Sequence, residues 1–261
     1  MAIYNITSQQ LKGAGILNSF EIPGSGAFPN QYSVNLDGTD DEIIATLSNG
    51  DNIIRFSKTI SFWIKFDEWD FDGMVLAIKG TRAADYFSVR KYSSGEIGFG
   101  CRGAPAHGKV SDSTKWDAES TLENWTHMLV TRQTAGTGRG EVVKIFINGV
   151  DVTGGGATIN QGNTNEFKIG QIGNIGYYGS HLKGKVDEFA VFEGHLTSSA
   201  NIDAIYNGGI PSDLTDLNPL VWYRMGDIVA ASGSNIPDQG SLGEGDLVLQ
   251  NDAAFVEDVP S

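Results

Sequence analysis

The stretch Trp125–Val152, WTHMLVTR…EVVKIFINGVDV, limits most tightly how this chain can fold. Two apolar runs flank the glycine-rich link TAGTGRG, and the second run ends in Asn148-Gly149. Val143, Ile145 and Ile147 alternate with Lys144, Phe146 and Asn148, the period of two that marks a strand with one buried face. Asn-Gly is the pair that tolerates positive φ in a tight turn. The stretch therefore predicts an antiparallel hairpin whose second strand turns back at Asn148. The rest of the chain has to give this hairpin sheets to pair with and to pack against.

TISFWIKF is the cleanest further strand. Ile60, Phe62, Ile64 and Phe66 share one face, read as core, while Thr59, Ser61, Trp63 and Lys65 share the other. Trp63 on that more polar face needs a covering loop or a ligand. Other short runs (SVNLD, MVLAIKG, DYFSVRKY, EIGFGCRG, EFKIGQIG, KGKVDEFAVF, LVWYR and Leu247–Leu249) are separated by Gly, Asp, Asn and Ser. Residues 102–121 and VTGGGATINQGNTN read as long polar loops. HLTSSANIDAIYNGG is the one convincing helix, capped by Thr197 or Ser198, with Ile202, Ile205 and Tyr206 on one side and Gly208-Gly209 at its stop. Roughly a dozen strands with one peripheral helix predict an antiparallel all-β sandwich, because parallel sheets need a helix between strands. Residues 1–30 read as an N-terminal arm, 31–210 as the sandwich, and 211–261 as strands and tail that complete or extend it.

The 261 residues include 34 glycines against seven prolines, which suits many strands joined by tight turns. A formal net charge of −14 repels phosphates, so nucleic acid and anionic membranes are poor partners. Carboxylate-rich loops also make hard-cation sites easy to build. Cys101 stands alone, which excludes an intramolecular disulfide and a cysteine metal cluster. No run approaches the roughly 18 apolar residues of a membrane span, and the first residues do not read as a Sec signal. The chain is expected to fold where it is made.

Four pieces in order resemble the laminin-G-like group of concanavalin A-type lectin/glucanase sandwiches: SVNLDGTDDEI, TISFWIKF, NWTHMLVTR…VKIFINGVDV and LKGKVDEFAVFEGHLTSSANIDAIYNGG. The last is the most specific, a Gly-x-Val-Asp-Glu strand followed by a short helix ending in Tyr-Asn-Gly-Gly. The resemblance covers about residues 30–210. It implies a jelly roll of two curved antiparallel sheets, often with calcium, in proteins that bind sugars or other proteins. The ending PLVWYRMGD…IPDQGS resembles the opening segment of such domains, and chains with it resemble structural proteins of marine bacteriophages. The resemblance thus implies a non-enzymatic protein of the virion surface, a capsid decoration or appendage protein. Its partners would be other virion proteins or its own copies in an oligomer, with weak binding to host glycans. The alternative is a carbohydrate-binding module of a secreted or cell-surface bacterial protein.

Asp37, Asp40 and Asp41 crowd one turn. If the first strand pairs with KGKVDEF, as the resemblance implies, Asp187 approaches that turn, and Asp37, Asp40 and Asp187 become candidate ligands of a structural Ca2+. In the alternative, Asp37-Gly38 simply makes a turn and Asp187 accepts backbone hydrogen bonds. Sugar binding needs aromatics that stack on pyranose faces, and Trp63, Trp69, Trp116, Tyr177 and Tyr178 are the candidates. Trp125 and Trp222 sit within strand patterns and are assigned to core. Glucan-hydrolysing relatives carry Glu-x-Asp-x-x-Glu on one strand, with carboxylates about 5–5.5 Å apart across the scissile bond. That spacing is missing here. Asp187 and Glu188 are adjacent and expected on opposite faces of their strand. The histidines at 107, 127, 181 and 195 match no metal or triad spacing, so no enzyme is expected.

Overall fold

The computed structural model describes residues 29–46, 58–68, 73–80, 86–92, 96–101, 108–109, 122–133, 141–154, 158–159, 167–172, 182–227, 233–243 and 245–261. Most of the expected N-terminal arm lies outside these residues. In chain order come β1 (Ser33–Asp37), β2 (Glu42–Thr46), β3 (Lys58–Phe66), β4 (Gly73–Gly80), β5 (Tyr86–Lys91), β6 (Ile97–Cys101), β7 (Gly108–Lys109), β8 (Thr126–Gln133) and β9 (Glu141–Ile147). They are followed by β10 (Val150–Asp151), β11 (Thr158–Ile159), β12 (Phe167–Ile172), β13 (Lys183–Glu193), helix α1 (Ser199–Tyr206), β14 (Val221–Tyr223), β15 (Asn235–Ile236), β16 (Leu247–Gln250) and β17 (Ala254–Val256). The two-residue strands β7 and β11 fall within stretches expected to be loops.

The strands form two antiparallel sheets, the sandwich that the alternation predicts and the jelly roll that the resemblance implies. The larger runs β10-β9-β8-β3-β13-β1-β17, with β11 beside β9 and β14 beside β13. The smaller runs β15-β16-β2-β12-β4-β5-β6-β7. The central hairpin is β8–β9, in register from Met128 opposite Ile147 to Gln133 opposite Val142. Its second strand turns back at Asn148 (φ 48°) and Gly149 (φ 77°) into β10. Strands from both ends of the described chain complete the larger sheet, because β1 lies between β13 and β17.

Two apolar layers result. Between the sheets, Ile60, Phe62, Ile64 and Phe66 of β3 pack with Val143, Ile145 and Ile147 of β9 and Val186 of β13. Each such side chain, once buried, contributes about 1.5–3 kcal/mol. The outer face of the larger sheet is buried as well, where Leu129, Phe146, Ala190 and Trp222 meet Ile202 and Ile205 of α1 and Leu214. The helix has eight residues, too few to be stable alone, so this packing holds it. Ser198 Oγ caps it by accepting from Asn201 N at 3.2 Å. Asn207, at φ 49°, ends it one residue before the expected glycines. Among the described residues no helix is long and apolar enough to cross a membrane.

Candidate functional site

The outer face of β3 explains Trp63. Thr59, Ser61 and Trp63 are all buried there, Trp63 being only 3% exposed. Tyr206, at the end of α1, stacks on the Trp63 ring at 6.0 Å and 26°, and His127 of β8 lies 5.0 Å away at 54°. Trp63 therefore has its cover in the chain itself, and its face is not open to a sugar. Beneath the same cover, Ser61 Oγ and His127 Nε2 share a hydrogen bond of 2.8 Å. Burial pushes the His127 imidazole down from 6.5 to about 3, so the ring stays neutral. His127 Nδ1 has no hydrogen-bond partner among the described residues. Trp69, Trp116, Tyr177 and Tyr178 lie outside the described residues.

At the Asp37 turn, Gly38 takes φ 83° and Asp37 Oδ1 accepts Thr39 N at 2.6 Å. Asp41 is buried and accepts Asp37 N at 2.8 Å and Asp252 N at 2.9 Å. Burial pushes its carboxyl upward, and these backbone donors oppose that. One carboxylate oxygen from each of Asp37, Asp40 and Asp41 lies within 4.8 Å of the others. This all-oxygen donor set suits a hard cation. Asp187 is not part of it. β1 does pair with β13, but the register sets Lys183 opposite Asp37 and Val186 opposite Val34. Asp187 thus lies about 13 Å farther along the strand, at roughly 3.3 Å per residue.

There Asp187 enters a different cluster. β13 bulges after Asp187: Asp187 faces Trp63 while Ala190 faces Ser61, so two residues oppose Phe62 alone. Glu188 occupies the bulge at φ 48°. Val186 and Phe189 both join the core between the sheets, whereas Glu188 reaches Trp222 and Arg224 on the outer side. The adjacent acids, expected on opposite faces, are instead gathered into one buried group. Trp222 Nε1 donates to Glu188 Oε2 at 2.6 Å and Arg224 Nε donates to Oε1 at 3.2 Å. Arg224 also donates to Asp227 Oδ2 at 3.1 Å and to the Pro29 carbonyl. Asp227 Oδ1 accepts Gln31 N at 2.7 Å and Tyr32 N at 2.8 Å. Asn30 Nδ2 donates to Asp187 Oδ2 at 3.1 Å, and Glu188 N donates to Asp187 Oδ1 at 2.8 Å.

Burial pushes both carboxyls up, Glu188 to about 7 in spite of Arg224 and Trp222, and Asp187 further raised by the Glu188 charge. The group fastens the chain at residues 29–32 onto β13 and the segment after β14. Asp187 and Glu188 are 0% and 3% exposed, and each of their carboxylate oxygens accepts a hydrogen bond from within this group. Trp222 and Arg224 stand two residues apart in the sequence, and their partners come from distant segments.

Of the tryptophans assigned to core, Trp222 is there, 4% exposed. Trp125 is not. It is half-buried just ahead of β8, and its Nε1 donates to Asp258 Oδ1 at 3.0 Å.

Residues 37–200 match the laminin-G-type family described as the concanavalin A-like lectin/glucanases superfamily. No curated protein matches the sequence at a significant level. Among solved structures, a Bacteroides ovatus protein provisionally described as carbohydrate binding aligns with TM-score 0.55 and 14% identity, over 90% of this chain and 62% of its own. The chain thus spans less than two thirds of that protein's length. A heptameric SAP-like pentraxin from Limulus polyphemus aligns with TM-score 0.49 and 14% identity, over 69% of this chain and 84% of its own. A Trypanosoma rangeli sialidase aligns with TM-score 0.49 and 15% identity, over 69% of this chain and 28% of its own. With 37–200 matched and both sheets of the sandwich in place, the chain belongs to the concanavalin A-like lectin/glucanases superfamily.

Proposed function

We propose that this protein is a non-enzymatic, glycan-binding module of a surface, its setting being the virion of a bacteriophage as a capsid decoration or appendage protein. The observation that carries the reading is the fate of the acids in a lectin-type sandwich. Asp187 and Glu188 are buried and held by donors from Asn30, Trp222 and Arg224, which supports a role in the fold rather than as a pair flanking a glycosidic bond. What is left is a sandwich that presents surfaces without a hydrolytic pair at this position. Calcium belongs to the same reading as a structural ion at Asp37, Asp40 and Asp41, which fit an oxygen-seeking cation.

A glycan array probed with the folded protein, with calcium and again with chelator, tests the binding. Expected is binding to a sugar class that is lost with Tyr177→Ala or Trp116→Ala and kept with Trp63→Phe. Silence across the array from a folded protein would remove the glycan-binding reading. The virion setting predicts a stable multimer and a defined attachment to purified particles. A strictly monomeric protein that binds no particle would remove that part and leave the module of a secreted or cell-surface protein.

A further inference from the structure

Three donor side chains form a row across the outer face of the larger sheet. Lys185 of β13 is the register partner of Lys65 of β3. Ile64 pairs with Thr126, so Trp125 stands next in line opposite Lys65 on the other side. Like charges directly opposite each other on an antiparallel pair repel, and here both are lysines in a chain of net charge −14. An anion between them removes the conflict.

Asp258, in the segment after β17, is that anion. Lys65 Nζ donates to its Oδ2 at 2.8 Å, Lys185 Nζ lies 3.5 Å from the same oxygen, and Trp125 Nε1 donates to Oδ1 at 3.0 Å. Each carboxylate oxygen thus has its own donors, an arrangement that recognises a carboxylate rather than a bare charge. Lys185 is shared with Asp67 at 3.2 Å. The Asp258 segment is held further by Ser33 Oγ, which donates to the Asp258 carbonyl at 2.6 Å, and by Asn30 Nδ2, 3.4 Å from the Pro260 carbonyl. The Asp258 side chain stays 38% exposed, and ion pairs this close to water add little stability. The Asp258 carboxylate is thus within reach of solvent.

The geometry points to Lys185, Lys65 and Trp125 as a subsite for the carboxylate of an acidic sugar, a uronate or a sialate, with Asp258 as its internal occupant. This rests on the glycan-binding reading and names the ligand class. The incoming carboxylate takes the place of Asp258, one oxygen on the lysines and one on the indole N–H. A neutral sugar has nothing to put there.

The test uses the full chain and its Asp258→Ala variant, titrated calorimetrically at low salt with trigalacturonate and with N-acetylneuraminic acid, and with lactose as the neutral control. Expected is acidic-sugar binding at least tenfold tighter in Asp258→Ala than in the parent, lost on adding Lys65→Ala, with lactose indifferent to both changes. Equal affinity in parent and variant, or no binding of either acid, overturns the subsite. Lactose binding that persists in that case leaves the glycan-binding reading standing, whereas silence toward every sugar removes both. Should Asp258→Ala fail to fold, the Trp125 indole N–H resonance of the parent decides. It must move with the acids and not with lactose, and a resonance that stays in place overturns the proposal.

Discussion

Trp222 and Glu188 meet in the interior, the indole Nε1 donating to Oε2 at 2.6 Å, and even with Arg224 on the other oxygen the carboxyl is pushed up from 4.5 to about 7. Asp187 beside it is pushed up too, by burial and then by the Glu188 charge. Elsewhere on the same sheet face, burial pushes His127 the opposite way, from 6.5 to about 3. These shifts have opposite consequences for stability.

A raised acid gives stability that is complete below its unfolded value and lost as pH rises toward its folded one, here from 4.5 to about 7. A depressed histidine gives stability that is complete above 6.5 and lost as pH falls toward about 3. The two slopes oppose each other between pH 4.5 and 6.5, and Asp187, also raised, adds to the falling one. Glu188→Gln removes one acid and part of what raises Asp187, so its melting temperature should rise with pH across that window relative to the parent. His127→Gln should tilt the profile the other way. Thermal melts at constant ionic strength read both tilts, and three parallel profiles would refute the assignment.

Trp63→Ala should destabilise by about 3–5 kcal/mol, because it empties the space beneath Tyr206 and α1. Trp63→Phe, which keeps a ring there, should lose much less. Urea midpoints of the two variants check this. A Trp63→Ala protein as stable as the parent would mean that the ring is not covered.

What could be read from the sequence was alternation, and what could not was anything depending on distant segments. The inward row Ile60, Phe62, Ile64 and Phe66 follows from a period of two and was legible. The burial of Trp63 was not, because its cover is Tyr206, far away in the chain. Alternation also fixes which side a residue faces without fixing its partner. The pairing of β1 with β13 was expected, yet only the register separates Asp187 from the Asp37 turn. A single bulge residue at φ 48° then undid the rule that adjacent acids point apart. Arg224 and Asp227 were hidden for the same reason, since their partners at 29–32 are nearly two hundred residues away.

Gly184, in the Gly-x-Val-Asp-Glu motif, has a physical reason to be glycine. It takes φ 151°, and a Cβ there would stand 2.1 Å from the Lys65 carbonyl oxygen. Gly184→Ala must separate β13 from β3 and should destabilise by about 3 kcal/mol or more. Gly194, at φ 85° with nothing within 4 Å of its would-be Cβ, isolates the backbone term. Gly194→Ala should lose only about 1–2 kcal/mol. Chemical denaturation of the two variants measures the difference, and equal losses would show that the close approach of the strands is not what requires Gly184.

Calcium should act through Asp37, Asp40 and Asp41 and not through Asp187. Asp41 already accepts two backbone N–H groups, so binding should be modest and its effect structural. At about 100 times its dissociation constant, calcium would add roughly 2.7 kcal/mol, or about 5 °C in melting temperature for a chain of this size. Asp40 is exposed, and among the described residues only its backbone carbonyl is engaged, by Asn251 Nδ2. Asp40→Asn should therefore abolish the calcium response without lowering the melting temperature in chelator. Asp187→Asn should do the reverse, lowering the melting temperature through the buried cluster while the calcium increment persists. Melts of the parent and both variants in calcium and in chelator separate the two sites, and a parent indifferent to calcium removes the ion from the turn altogether.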